Sequence, residues 1–197
     1  MYTVIGGVAS RAFRVLWMLE ELGAAYEHQP AGPQSDEVKA HNPAGKIPVL
    51  IDDGQAITDS SAILTYLADK HQALTYPAGT IDRARQDALT FAILDEVDSV
   101  LWTAARHSFV LPEEERVPAV KDRLKREYSR NIARLMDRMA GPFLMGEMMT
   151  VPDIILTHCG NWAVSAKFPE PEARFADYLA NMRTRPAYGR TRALRKP

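Results

Sequence analysis

A single cysteine, Cys159, stands among 197 residues, so no internal disulfide can form and a reducing compartment is the expectation. Charge imbalance is nearly absent: 24 Lys and Arg against 25 Asp and Glu give a formal net charge of −1. Nothing global therefore draws the chain to nucleic acid or to a membrane surface. No apolar run approaches the roughly 20 residues needed to cross a bilayer. The opening segment MYTVIGGVAS has neither the basic flank nor the apolar stretch of a secretory leader. No group of Cys, His and carboxylates has metal-ligand spacing, and no repeat or low-complexity tract is visible. These absences point to a cytoplasmic protein. With 46% hydrophobic and 25% charged residues, it can bury one large core or two small ones.

What is present changes character near residue 75. Tyr2 to Ile5 is a short β-branched run closed by Gly6-Gly7, which reads as a strand ending in a turn. Ser10 stands where a helix is capped, with Val15, Leu16, Leu19 and Leu22 at helical spacing and Gly23 as the stop. Tyr26 to Gln29 reads as a second strand, and Ser35 to His41 as a short helix. Pro48 to Ile51 and Gln55 to Thr58 flank Asp53-Gly54, a strong hairpin signal. Asp59-Ser60-Ser61 then caps a helix with Ile63, Leu64 and Leu67 as its apolar positions. This order predicts a mixed sheet covered by helices. Beyond a linker marked by Pro77 and Gly79 the pattern is helical throughout. One long helix is expected over Ile81 to Phe109, another opening at Pro112 and Glu113-Glu114-Glu115, and two or three shorter ones after Gly141-Pro142.

Three local features carry chemistry. The first is Gly45-Lys46-Ile47-Pro48-Val49-Leu50. A proline entering an apolar strand cannot donate a ladder hydrogen bond. It either opens an edge strand or follows a cis bond that turns the Ile47 N–H and C=O outward to pair with an extended peptide. Local sequence leaves both open. The second is Thr58-Asp59-Ser60-Ser61, either an ordinary cap or a grip on an amino acid. In the latter case Asp59 attracts an ammonium, while Ser60 and the free N–H groups hold a carboxylate. The third is Ser10, a simple cap or a hydroxyl donating to an anion such as a thiolate at the helix entrance. Arg11 and Arg14 on the same helix either help to hold an anion or are solvated, the commoner case.

Together these segments resemble the cytosolic glutathione transferase family, and its Ser-dependent theta- and beta-like members in particular, over essentially the whole chain. The resemblance implies an α/β thioredoxin-like domain over residues 1–75, a linker over 76–82 and an all-helical bundle domain over 83–197. It implies that Ser10 activates the thiol of glutathione, the co-substrate. Ile47 and a cis Pro48 would present backbone to the cysteinyl unit, Asp59 and Ser60 would bind the γ-glutamyl end, and Gln34 and Lys46 would lie near the glycine end. Asp59 departs from the family's commoner Glu or Gln by one methylene of reach. Thr150 and Asp153 form a capping box, with Pro152 in the first turn and Met149 and Ile154 as the apolar staple. The family carries a similar, structural box in its helical half.

Trp102, Arg106 and Phe109 recur three to four residues apart and could line a co-substrate pocket between the domains, suited to a flat, partly anionic electrophile. Helix packing accounts for the aromatics equally well. His107 reads as a surface residue, Trp162 and Cys159 as core. The C-terminal run of Arg183, Arg185, Arg190, Arg192, Arg195 and Lys196 reads as a solvated helix face rather than a patch for nucleic acid or an acidic partner. The expected function is conjugation of the glutathione thiolate to apolar electrophiles, and the resemblance further implies a detoxifying role and a homodimer. A non-catalytic scaffold of the same fold, or a glutathione-dependent isomerase or peroxidase, is the alternative.

Overall fold

The structure is a computed structural model that describes residues 1–195. Four-residue strands form where β-branched and aromatic residues gather: β1 Tyr2–Ile5, β2 Tyr26–Gln29, β3 Val49–Asp52 and β4 Gln55–Thr58. The sheet order is β2-β1-β3-β4. β1 and β2 run parallel, joined by the crossover helix α1 (Ala12–Leu22), while β1–β3 and β3–β4 are antiparallel. Asp53 and Gly54 turn the β3–β4 hairpin with positive φ at both positions, as such two-residue loops require.

Successive strand residues point to opposite faces, yet Val4 and Ile5 are both buried, and so are Val49 and Leu50. Both faces of the sheet are therefore covered. Ile5 and Val49, paired across the ladder, pack with Val38 of the short helix α2 (Asp36–Lys39). Val4 and Leu50, also paired, face the other way, toward the side that α1 and α3 (Ser60–His71) cover. This is a thioredoxin-like arrangement. Gly23, at φ 62, closes α1 with its N–H on the Glu20 and Leu19 carbonyls, the left-handed stop that glycine accepts without steric cost.

The remainder is helical: α4 Ile81–Ile93, α5 Ser99–Ala105, α6 Val120–Asp137, α7 Val151–Ser165, α8 Ala173–Arg183 and α9 Pro186–Ala193. α4 runs on into α5 through a wider π turn at Leu94–Asp98, and α5 ends in a second one at Arg106–Val110. A π turn re-aims carbonyls and side chains. Here the Asn131 amide donates to the Glu96 carbonyl at 2.8 Å, and Asp98 turns inward, 3.7 Å from the Cys159 thiol. Glu113–Glu115 does not open the next helix as expected. It is one 3-10 turn, and α6 starts only after Pro118, whose ring forbids a helix running through it. At α7 the capping box forms: the Thr150 N–H donates to the Asp153 carboxylate at 2.8 Å. The Leu144 N–H and the Tyr178 hydroxyl donate to the same carboxylate. Burial pushes the Asp153 carboxyl upward, against these donors.

Contacts divide the chain into two compact units, one holding Met1–Ala78 with the chain from Met182 onward, the other Gly79–Asn181. Within the first, α9 packs along α1.

Candidate functional site

The turn after β1 is the natural starting point. Gly6 has φ 143, and a Cβ built on it would lie 3.0 Å from the Ala12 Cβ, 3.1 Å from the Ile47 Cβ and 3.5 Å from the Pro48 Cα. Only a residue without a side chain lets the entrance of α1 and the 47–48 segment approach this closely. The turn is anchored from β2, where the Gln29 carbonyl accepts the Gly6 N–H at 2.9 Å and the Ala31 carbonyl accepts the Gly7 N–H at 3.0 Å. The His28 ring donates from Nε2 to the Gly6 carbonyl at 2.9 Å.

Ser10 lies in this turn, two residues before the first helical residue of α1, so it is not the N-cap that its spacing suggests. Arg11 holds that position, with no side-chain hydrogen bond capping the helix. The chain enters α1 through tight i→i+3 turns, the Phe13 N–H on the Ser10 carbonyl and the Arg14 N–H on that of Arg11. The Ser10 hydroxyl accepts from the Ala12 N–H at 3.1 Å and donates to the Gly7 carbonyl at 2.7 Å. It is half-buried, at the helix entrance where N–H groups and the dipole favour an anion.

The Ile47–Pro48 bond is cis. Among the described residues, no group pairs with the Ile47 N–H or C=O, which leaves an open peptide edge beside Gly6. The loop before it is braced by two amides. Asn42 donates from Nδ2 to the Lys46 carbonyl at 2.8 Å and accepts the Ala44 N–H at 3.2 Å. Gln34, at φ 67, donates from Nε2 to the Ala44 carbonyl at 2.9 Å and from its N–H to the Gly45 carbonyl at 2.8 Å. Gly45 holds φ 64, a conformation that glycine accepts and side chains resist, and a Cβ there would push aside the Gln34 amide, 2.5 Å from its Nε2. Lys46 projects into solvent.

Asp59 caps α3 with one carboxylate oxygen, accepting from the Ser61 N–H at 2.8 Å and the Ala62 N–H at 3.1 Å. The second oxygen has no protein partner among the described residues. Asp59 holds φ 70 and ψ 121, an uncommon conformation for a residue with a side chain, of the kind that concentrates at functional positions. Ser60 is buried, and its Oγ accepts from Arg14 Nη1 at 3.3 Å. Arg14 is therefore not a solvated surface residue: its side chain is wholly buried, whereas Arg11 is only half-covered. Ser10, Ile47, Pro48 and Arg14 thus gather around the α1 entrance and, through Ser60, reach the α3 entrance. Gln34 reaches the region through the loop it braces.

The second unit carries the other candidates. Trp102 on α5 is partly exposed, and Arg106 and Phe109, in the π turn, are exposed. His107 accepts the Val117 N–H on Nδ1 at 3.2 Å, fixing its proton on Nε2. Cys159 is buried, as expected of core.

The C-terminal arginines are not simply a solvated face. Arg185 forks onto Glu21, Nε to Oε1 at 2.7 Å and Nη2 to Oε2 at 2.8 Å, and the Trp17 indole donates to the same carboxylate at 2.8 Å. Arg190 donates to the Glu20 carboxylate at 2.5 Å and, from Nη2, to the Glu20 carbonyl at 3.1 Å. Desolvation raises the Glu20 carboxyl, but hydrogen bonds from Arg190 and Tyr26 outweigh it and hold the group low. Arg192 and Arg195 carry no such fork among the described residues, and Lys196 lies outside them.

Asn42 and Arg14 are the residues that sequence reasoning underused. Asn42 was visible in Asn-Pro-Ala-Gly; the burial of Arg14 had no local signal.

Among known families, the glutathione S-transferase N-terminal domain matches residues 10–70. A maleylacetoacetate isomerase of Rhizobium meliloti (strain 1021) is 29% identical over 158 residues, 75% of this chain and 74% of that protein. A glutathione transferase of Methylococcus capsulatus superposes with TM-score 0.83 at 25% identity, covering 99% of this chain and 98% of the other. A theta class glutathione S-transferase of Xanthomonas axonopodis pv. citri, solved with glutathione bound, superposes at TM-score 0.79 and 26% identity, covering 96% of each chain. Among the described residues, no helix is long and apolar enough to cross a membrane.

Proposed function

The chain belongs to the glutathione transferase family, and from that premise we propose that it binds glutathione on residues 1–75 and delivers its thiolate to an electrophilic carbon. The observation that carries this reading is the open Ile47 peptide edge held against the Ser10 turn across Gly6. An extended tripeptide pairing its cysteinyl N–H and C=O with Ile47 places the sulfur at the α1 entrance. Its γ-glutamyl ammonium meets the free oxygen of Asp59, and its carboxylate meets the Ser60 hydroxyl and the α3 N–H groups. Lys46 faces the glycine carboxylate, with Gln34 shaping that loop.

The thiol proton leaves to solvent, and the thiolate is held by the Ser10 O–H and the helix entrance. Sulfur then bonds to the electrophilic carbon, and the leaving group departs with its electron pair. Most of the acceleration comes from alignment, because lowering a thiol pKa also lowers its nucleophilicity. Trp102, Arg106 and Phe109 are the proposed contacts of the electrophile. Residues 76–82 serve as the linker and 83–197 as the helical domain, in a cytoplasmic homodimer.

A second reading is favoured by the similarity to a maleylacetoacetate isomerase. Thiolate adds to a C=C bond, the resulting single bond rotates, and elimination returns the thiolate. The two readings separate in one assay. Conjugation of a chloronitrobenzene consumes one glutathione per product, whereas isomerisation of a maleyl substrate consumes none. Failure of the protein to bind immobilised glutathione, or to turn over either substrate class, overturns the proposal.

A further inference from the structure

Arg14 lies in the first turn of α1, four residues past Ser10, with no solvent exposure. A guanidinium leaves water at a cost and stays buried only where its N–H groups find acceptors. One acceptor is the Oγ of Ser60, 3.3 Å from Nη1 and 46 residues away in sequence. A hydroxyl that receives a hydrogen bond from a cation still has its own proton to donate. No described residue takes that proton. Ser60 is also the first residue of α3, one after Asp59, where unpaired N–H groups draw a carboxylate.

We infer that Arg14 is a positioning residue for the γ-glutamyl carboxylate. It pins the Ser60 oxygen so that the O–H points out to the ligand, and it strengthens that donor by sitting behind it as a desolvated cation. It also ties α1, which carries Ser10 at its entrance, to α3, which carries Asp59, and so fixes the spacing between the groups meeting the sulfur and the groups meeting the amino-acid end. The inference rests on the glutathione reading above, but it concerns one charge-transmitting contact that the reading does not need.

The test compares two ligands by calorimetry: glutathione and γ-aminobutyryl-cysteinyl-glycine, which lacks only the γ-glutamyl carboxylate. The unmutated protein should prefer glutathione by at least about tenfold, the range for a hydrogen bond to a charged group. Ser60→Ala and Arg14→Met should each reduce that preference to about twofold or less, and the double variant should lose no more than either single one. Arg14→Lys, which keeps a cation but not the planar fork, is measured beside them and should lose part of the preference. In the unmutated protein, the protected Arg14 guanidinium signal in NMR should shift on addition of glutathione and stay in place with the analogue. An unchanged preference in whichever Arg14 variant folds, losses that multiply in the double variant, or an Arg14 signal that responds equally to both ligands would each overturn the inference. If the unmutated protein binds neither ligand, the glutathione reading itself falls.

Discussion

Replacing Ser10 with alanine gives a test in which the sign of the effect depends on pH. The hydroxyl proton rests on the Gly7 carbonyl at 2.7 Å, so turning it to a thiolate forfeits that bond, about 1 kcal/mol net. A charge-assisted bond to sulfur returns about 1.5–3 kcal/mol. The surplus, about 0.5–2 kcal/mol, lowers the thiol pKa by about one unit at its middle value. At pH 7 the ionised fraction of a thiol starting near 8.5 then rises from about 3% to about 24%. A Brønsted slope near 0.45 takes back about threefold, leaving a net advantage of about threefold at pH 7. At high pH both thiols are ionised, and the more basic thiolate of the Ser10→Ala variant is about threefold the better nucleophile. The two pH–rate profiles should therefore cross near about pH 8. Stopped-flow conjugation at saturating glutathione, with ultraviolet thiolate absorbance of the bound tripeptide read in parallel, measures both quantities. Coincident profiles, or a variant slower by one constant factor at every pH, would refute an ionising role and leave Ser10 only its contact with the Ala12 N–H.

Three further outcomes are expected. Gly6→Ala forces a side chain onto φ 143 between Ala12 and Ile47; it should cost about 2–4 kcal/mol in denaturant melts and weaken glutathione binding, and a loss under half a kcal/mol would mean the turn yields easily. Hydrogen bonding by Lys70, then by Tyr66, holds the Asp52 carboxyl below its usual range. That contribution is complete above the unfolded value of about 3.9 and is lost as pH falls through the lower folded value. Asp52→Asn should accordingly flatten the acid limb of the stability–pH curve and lower Tm by about 2–4 °C at neutral pH, and an unaltered acid limb would contradict it. Arg185→Ala leaves the largely buried Glu21 carboxylate with only the Trp17 indole among its described donors; a loss of about 1–2 kcal/mol is expected after discounting for solvent, and Arg185→Lys should not restore it because a single ammonium cannot fork.

The strands, the hairpin and the helix stops were legible because each has a local cause: β-branched runs, Asp53-Gly54, Gly23. The neighbourhood of Ile47 was half-legible, since local sequence left two geometries at Pro48 and only the resemblance chose between them. What stayed hidden depends on partners far along the chain. The pattern Val15, Leu16, Leu19 reads as one apolar stripe, but every residue from Ala12 to Leu19 is buried, because α9 covers a second side of α1. Phe13, Trp17 and Tyr188 meet there edge to face, with ring centres 5.1 to 6.1 Å apart. Arginines near residue 190 looked solvent-facing for the same reason: their carboxylate partners, Glu20 and Glu21, lie about 170 residues earlier. Arg14 is misread by any rule that sends charge outward, because its acceptor Ser60 belongs to another helix.

The pairing of α9 with α1 also sets an order of events at the ribosome. The Trp17 ring emerges early, but its neighbour Tyr188 is added about 170 residues later, a wait of about 10–35 seconds at ordinary translation speed. Until then the outer flank of α1, with Phe13 and Trp17, is bare and open to chaperones or to other nascent chains. Residues 79–181 are contiguous and have no such wait. Any truncation that removes Tyr188 makes that transient exposure permanent.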